Sequence, residues 1–104
     1  MKKPRRREQP IVRKEEILNA AIDLASKIGY QSITRKKVAE NADISLALIN
    51  QYFSTMTQLK KAVMKTAIER EIVTIIAQGI SLGDTQTKTI KKELREKVLT
   101  FFTN

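Results

Sequence analysis

The chain has no cysteine and no histidine, which excludes disulfides, thiolate chemistry, imidazole general bases and Cys/His metal sites together. Long apolar runs are missing as well. The most apolar stretch, IVTIIA at 72–77, falls far short of the ~20 residues that a membrane span requires. There is no Gly/Pro/Ser-rich linker, no repeat period and no low-complexity block apart from a basic N-terminal arm. Acidic residues are the minority, 11 against 20 Lys and Arg, for a net charge of +9, and such an excess points to polyanionic partners. With 104 residues, one folding unit with a modest core is expected.

The positive charge is unevenly spread. Residues 1–14, MKKPRRREQPIVRK, carry seven positive charges and one negative. A secretory leader would continue into a long apolar stretch, whereas PIVRKEEIL is interrupted by charge at once. The expectation is a soluble, cytoplasmic, nucleoid-associated protein with no membrane partner. By contrast, VAENADISLALINQYFSTMTQL, from Val38 to Leu59, contains no cation at all.

Apolar residues at 17, 18, 21, 22, 24, 25 and 28 make a helical stripe, with Gly29 suited to a left-handed stop. Thr34 fits the N-cap of a helix over Arg35 to Ala42, and Ile33 with Val38 has the spacing of a hydrophobic staple. After a short break at Asp43-Ile44, Ser45 caps a further helix to Phe53, stapled by Ile44 and Ile49. Thr55-Met56-Thr57-Gln58 fits a capping box and predicts one long helix to about Gln78, stopped by Gly79. SLGDTQT at 81–87 reads as a turn, and Ile90, Leu94, Val98 and Phe101 or Phe102 return at helical spacing from about Thr87. The predicted architecture is all-α. It comprises a basic arm over 1–10, expected to be disordered, a three-helix head over 11–64, and a helical extension over 65–104 serving dimerisation.

Two short helices joined by a tight turn match the helix-turn-helix plan, whose second helix enters the DNA major groove. Ile49 and Phe53 would then face inward, and Leu46, Ala47, Leu48, Asn50 and Gln51 outward. Asn and Gln can each pair with adenine in bidentate fashion, while Ala and Leu can touch thymine methyls. Bases are readable without formal charge while cations hold phosphates, which accounts for the uncharged segment between flanking cations. The competing reading is an ordinary buried helix. Adjacent Asn50 and Gln51 count against it, since burying unsatisfied amides costs about 1–3 kcal/mol each; exposed Leu46 and Leu48 count for it.

The run RKEEILNAAIDLASKIGYQSITRKKVAENADISLALINQYFSTMTQL resembles the N-terminal DNA-binding domain of the TetR family of transcriptional regulators. The resemblance covers about residues 13 to 64. It rests on the ILxAAxxL helix with its Gly stop, the Thr-capped helix containing Val38-Ala39, the Ile44-Ser45 turn, and Tyr52-Phe53 followed by a capped helix and Leu59. It implies double-stranded DNA as partner and Leu46, Ala47, Leu48, Asn50 and Gln51 as base-facing residues. Thr34, Arg35, Lys36, Ser45 and Tyr52 would lie against phosphates. Family members often have Lys where Leu46, Ser54 and Met56 stand, and commonly Tyr where Asn50 stands. Those departures weaken the usual phosphate clamp, and Lys60, one turn after Met56, is the candidate replacement.

Family members usually add about another hundred residues that bind an inducer and dimerise. Here a small-molecule inducer pocket is not expected, and no cofactor or metal is implied. Ile72, Ile76, Leu94, Val98, Phe101 and Phe102 offer more apolar surface than two helices can hide on a three-helix head, so they are expected in a homodimer interface; the competing reading packs them within the chain. The arm residues Lys2, Lys3, Arg5, Arg6 and Arg7 either attract phosphates as a solvated tail or enter the minor groove. Glu15, Glu16, Glu69 and Glu71 lie on ordinary helix faces without a nucleophile and base, so enzymatic activity is not expected. Three functions fit: a repressor occupying a palindromic operator, an architectural or segregation-type DNA protein, and a protein-binding adaptor on a helix-turn-helix scaffold.

Overall fold

A computed structural model describes the backbone of residues 10–103 and the side chains of 13–102. The arm residues Lys2, Lys3, Arg5, Arg6 and Arg7 lie outside the described residues. Among the described residues six α-helices follow one another: α1 Pro10–Ile28, α2 Arg35–Ala42, α3 Leu46–Tyr52, α4 Met56–Glu69, α5 Val73–Ser81 and α6 Lys92–Thr103. Two 3-10 segments, Tyr30–Ser32 and Thr85–Thr89, join α1 to α2 and α5 to α6. No strand occurs among the described residues, so the chain is all-α as expected.

The apolar stripe of α1 supplies Ile17, Ala21, Ile22 and Ala25 to the core. The helix ends where Gly29 donates its N–H to the Ala25 carbonyl (2.9 Å) at a φ of 99°, a value that favours glycine. Tyr30 then turns inward and is buried.

The expected long helix to Gln78 is instead two helices. At its end α4 makes a Schellman closure: Ile72 N–H donates to Ala67 O (2.9 Å) and Glu71 N–H to Ile68 O (3.1 Å), with Glu71 in the left-handed region at φ 55°. The motif ordinarily takes glycine at that position, so a glutamate there gave no stop signal. The expected stop, Gly79, lies inside α5. The left-handed residue that ends α5 is Gly83, at φ 76°, with Asp84 N–H to Gly79 O (2.8 Å) and Gly83 N–H to Ile80 O (3.1 Å). Gly79 serves packing: a Cβ there would stand 2.4 Å from Met64 Cε and 2.9 Å from Thr87 Cγ2. The last helix also starts later than expected, at Lys92, because Asp84 accepts the Gln86 N–H (2.9 Å) and opens the 3-10 segment that contains Thr87.

The break at 70–72 lets α5 fold back and changes the fate of the apolar extension. Ile76, Leu94 and Val98, expected between two subunits, are buried in this chain's own core. Ile72 packs partly buried against that core. Only Phe101 and Phe102 of the expected interface remain open, 47% and 48% exposed. One cluster runs from Ile17 through Ile49, Leu59 and Met64 to Ile76 and Val98, so the expected division after residue 64 falls inside α4 and inside a continuous core.

Head and extension are also joined by polar contacts at Tyr30. Its N–H donates to Gln78 Oε1, and its hydroxyl donates to Asp84 Oδ2 (2.9 Å) and lies 3.1 Å from the Lys60 carbonyl. Burial, with the Asp84 carboxylate beside it, pushes the phenol well above the usual tyrosine range. Gly79→Ala is expected to destabilise the chain by about 1–3 kcal/mol, read as a lowered urea midpoint at constant m-value; an unmoved midpoint would show that Met64 and Thr87 give way freely.

Candidate nucleic-acid interface

The α2–α3 unit is built from local capping. Thr34 Oγ1 accepts the Lys37 N–H (3.1 Å) at the start of α2, and Ile33 and Val38 are both buried as a staple requires. α2 ends in a second Schellman closure, with Ile44 N–H to Ala39 O (3.0 Å) and Asp43 N–H to Glu40 O (3.3 Å). Asp43 sits there in left-handed geometry, φ 59° and ψ 47°, which aspartate tolerates better than most residues. Ser45 Oγ then accepts the Leu48 N–H (3.1 Å) and opens α3. Asn41 ties the unit to α1: its Nδ2 donates to Ala20 O (2.9 Å) and to Asp23 Oδ2 (3.1 Å). The Asn41 hydrogen bond, reinforced by Lys27, holds the Asp23 carboxyl below its ordinary range.

α3 is pinned from one side. Ile49 is completely buried and Phe53 nearly so. Around the rest of α3, Leu46 is 41% exposed, Ala47, Asn50 and Gln51 are exposed, and Leu48 and Tyr52 are half-buried. Of the residues expected to face bases, Leu46, Ala47, Asn50 and Gln51 fall along one exposed arc of α3, whereas Leu48, two positions from Leu46 and so on the other flank of the helix, is half-buried. Thr34 and Ser45 are exposed while their side chains serve as caps.

The cations divide into two groups. Arg35 and Lys36 line a cleft of about 290 Å3 together with Thr34, Leu46, Asn50 and Met56. Arg35, expected against a phosphate, makes two hydrogen bonds within the chain: its Nη1 donates to Asn50 Oδ1 (2.7 Å) and to the Ser54 carbonyl (2.7 Å). Asn50 was expected to offer both amide ends to a base, and one end is engaged. Lys60, the candidate replacement clamp, lies in another cleft with Tyr30, Thr57, Asp84 and Gln86. Its ammonium stands 5.5 Å from the Tyr30 ring centroid and 3.5 Å from the Gln31 carbonyl. Lys14 was counted only as part of the basic segment, and its ammonium stands 5.7 Å from the ring of Phe53, the C-cap of α3. No sequence spacing pairs Lys14 with Phe53, because the contact is tertiary.

The capping box at α4 also differs in detail. Thr55 Oγ1 accepts the Gln58 N–H (3.1 Å), but Gln58 Oε1 reaches back to the N–H and hydroxyl of Ser54 (2.9 Å each). Among the described residues no group of Asp and Glu is arranged to hold a metal ion, and no helix is long and apolar enough to cross a membrane.

The family model for bacterial regulatory proteins, tetR family, matches residues 17–63, from the buried middle of α1 into α4. Two relatives are HTH-type transcriptional repressors KstR. The one from Rhodococcus jostii is 34% identical over 67 residues, covering 64% of this chain and 30% of the relative. The one from Mycolicibacterium smegmatis is 33% identical over 58 residues, covering 56% of this chain and 28% of the relative. The chain thus spans less than a third of the length of these relatives. No solved structure gives a significant match.

Since α3 rests on Ile49, Ile49→Ala is expected to destabilise the chain by about 2–5 kcal/mol, and Ser45→Ala, which removes only a cap, by about 1 kcal/mol. Urea titration measures both. A smaller loss for Ile49→Ala than for Ser45→Ala would reverse the order of importance assigned to core and cap.

Proposed function

We propose, on the premise that residues 17–63 are a DNA-binding domain of the tetR family of bacterial regulatory proteins, that the protein is a sequence-specific DNA-binding repressor. It acts as a homodimer on an inverted-repeat operator. The observation that carries this reading is the two-sidedness of α3. Ile49 anchors it in the core, and an uncharged face of Leu46, Ala47, Asn50 and Gln51 is left in solvent, beside a cleft lined by Arg35 and Lys36. A helix of that kind can enter the major groove and read base edges with amides and methyls, while cations at its flank hold the backbone.

Selection from random DNA tests the proposal. One short inverted repeat with half-site centres about 34–36 Å apart, or a multiple of that, is expected; extended cooperative coverage would favour an architectural protein, and no binding at low salt an adaptor. Lys36→Ala is expected to weaken binding to every sequence alike and to reduce the salt slope by about one unit. An unchanged slope would remove Lys36 from the phosphate contacts.

The homodimer is proposed through the apolar surface that the chain leaves uncovered: Leu82, Leu99, Phe101 and Phe102, each about half exposed. Phe101 and Phe102 stand edge to face with ring centroids 6.2 Å apart, and both line a cleft with Ala77 and Leu82. The paired change Phe101→Asp with Phe102→Asp is expected to give a folded monomer, because charge in an apolar interface has no partner. Leu94→Asp should instead unfold the chain, since Leu94 is buried within it. Sedimentation and circular dichroism separate these outcomes, and an intact dimer in the paired variant would place the interface elsewhere.

A further inference from the structure

Arg35 and Asn50 come from different helices, 15 positions apart, and meet at 2.7 Å. The same Nη1 spends its second hydrogen on the Ser54 carbonyl, also at 2.7 Å. The guanidinium therefore bridges from the first residue of α2 to the chain just beyond α3. Amide oxygen and nitrogen are hard to tell apart by shape alone, but here chemistry decides. A guanidinium has donors only, so the atom of Asn50 facing it must be the oxygen. A charge-assisted hydrogen bond of this length is also stronger than one between neutral groups. The NH2 of Asn50, on an exposed residue of α3, is the end of the amide that Arg35 does not engage.

We propose that Arg35 is a positioning residue that sets base specificity. By holding Asn50 Oδ1 it fixes the orientation of the amide with the NH2 as the end presented to the base, which favours a keto oxygen, guanine O6 or thymine O4, over an amino group. This rests on the proposed function, with α3 in the major groove. A free asparagine offers both a donor and an acceptor and pairs best with adenine N7 and N6. With the oxygen turned to the guanidinium its second lone pair is not aimed at the base; both purines share the N7 acceptor, so the discrimination lies where the N6 amino group of adenine or the N4 amino group of cytosine meets another donor. The keto oxygens meet a ready one. The remaining N–H groups of Arg35 stay free for a phosphate, so the two duties of this residue are compatible.

Fluorescence-anisotropy titrations on the selected site, with each position changed in turn to all four bases, test this. Asn50→Ala first identifies the position that Asn50 reads, as the one whose preference disappears. At that position the wild type is expected to bind the guanine or thymine sites at least roughly fivefold more tightly than the adenine or cytosine sites. In Arg35→Met the amide is released, and preference should move to adenine at that position alone; overall affinity falls with the lost charge, so only the ratios are compared. Arg35→Lys, which can still donate to Oδ1, should keep the keto preference. Asn50→Asp leaves Arg35 intact and replaces the donor by an acceptor, so preference should invert to an amino base; this variant decides the matter if Arg35→Met fails to fold. Adenine preferred by the wild type, the same base preferred after Arg35→Met, or a keto preference surviving in Asn50→Asp would each overturn the proposal. If Asn50→Ala alters no position, Arg35 has no reader to hold, while sequence-specific binding stands. If the wild type prefers no sequence at any position, the proposed function fails and this inference with it.

Discussion

The burial of Ile49 is the contact on which the rest of the surface depends. α3 has seven residues, and helices shorter than about 12–15 residues are marginal in water by themselves. Its caps at Ser45 and Phe53 satisfy backbone groups but do not hold the helix in place. Ile49 is completely buried and Phe53 nearly so, and this pair fixes which way the helix faces. Rotated by one position, α3 would bury Asn50 or Leu48 instead, and the uncharged exposed face would be a different one. The exposed face of α3 is thus set by a packing constraint.

α4 extends that constraint through the molecule. Leu59, Val63, Met64 and Ala67 have no exposed surface at all, and the core to which they belong contains residues of α1 and α3 as well as α5 and α6. Tyr30 adds a polar junction between the same parts through Gln78 and Asp84. Gly79 permits the close approach of α5, because a Cβ would collide with Met64 and Thr87. Head and extension therefore stand or fall together, and a change in either is felt by the other through α4.

Charge follows a different rule from packing. The exposed side of α3 carries none, and Arg35 reaches it from α2, its guanidinium meeting Asn50 Oδ1. Lys60, by contrast, sits against the Tyr30 ring and the Gln31 carbonyl, so proximity in sequence to α3 does not make a lysine part of its surroundings. Lys14, remote in sequence, stands by Phe53. A cation's role here is set by the face of the helix on which it falls and by what that face packs against.

Much of this was legible in the chain itself. The caps at Thr34, Ser45 and Thr55, the staples at Ile33–Val38 and Ile44–Ile49, the stop at Gly29 and the inward pair Ile49 and Phe53 all follow from local chemistry. Capping, helical period and turn geometry involve residues within one or two turns of each other. The break at Glu71 was not legible, because a left-handed glutamate is tolerated only where the surrounding packing over-determines it. Nor was the fate of Ile76, Leu94 and Val98, since an apolar stripe records that a face is covered but not whether the cover is the same chain or another. The engagement of Asn50 by Arg35 was hidden for the same reason. Sequence determined which residues form α3 and which of its sides turns outward. The tertiary structure alone decided which end of the Asn50 amide Arg35 engages, because hydrogen bonds between separate helices depend on distances that no local pattern encodes.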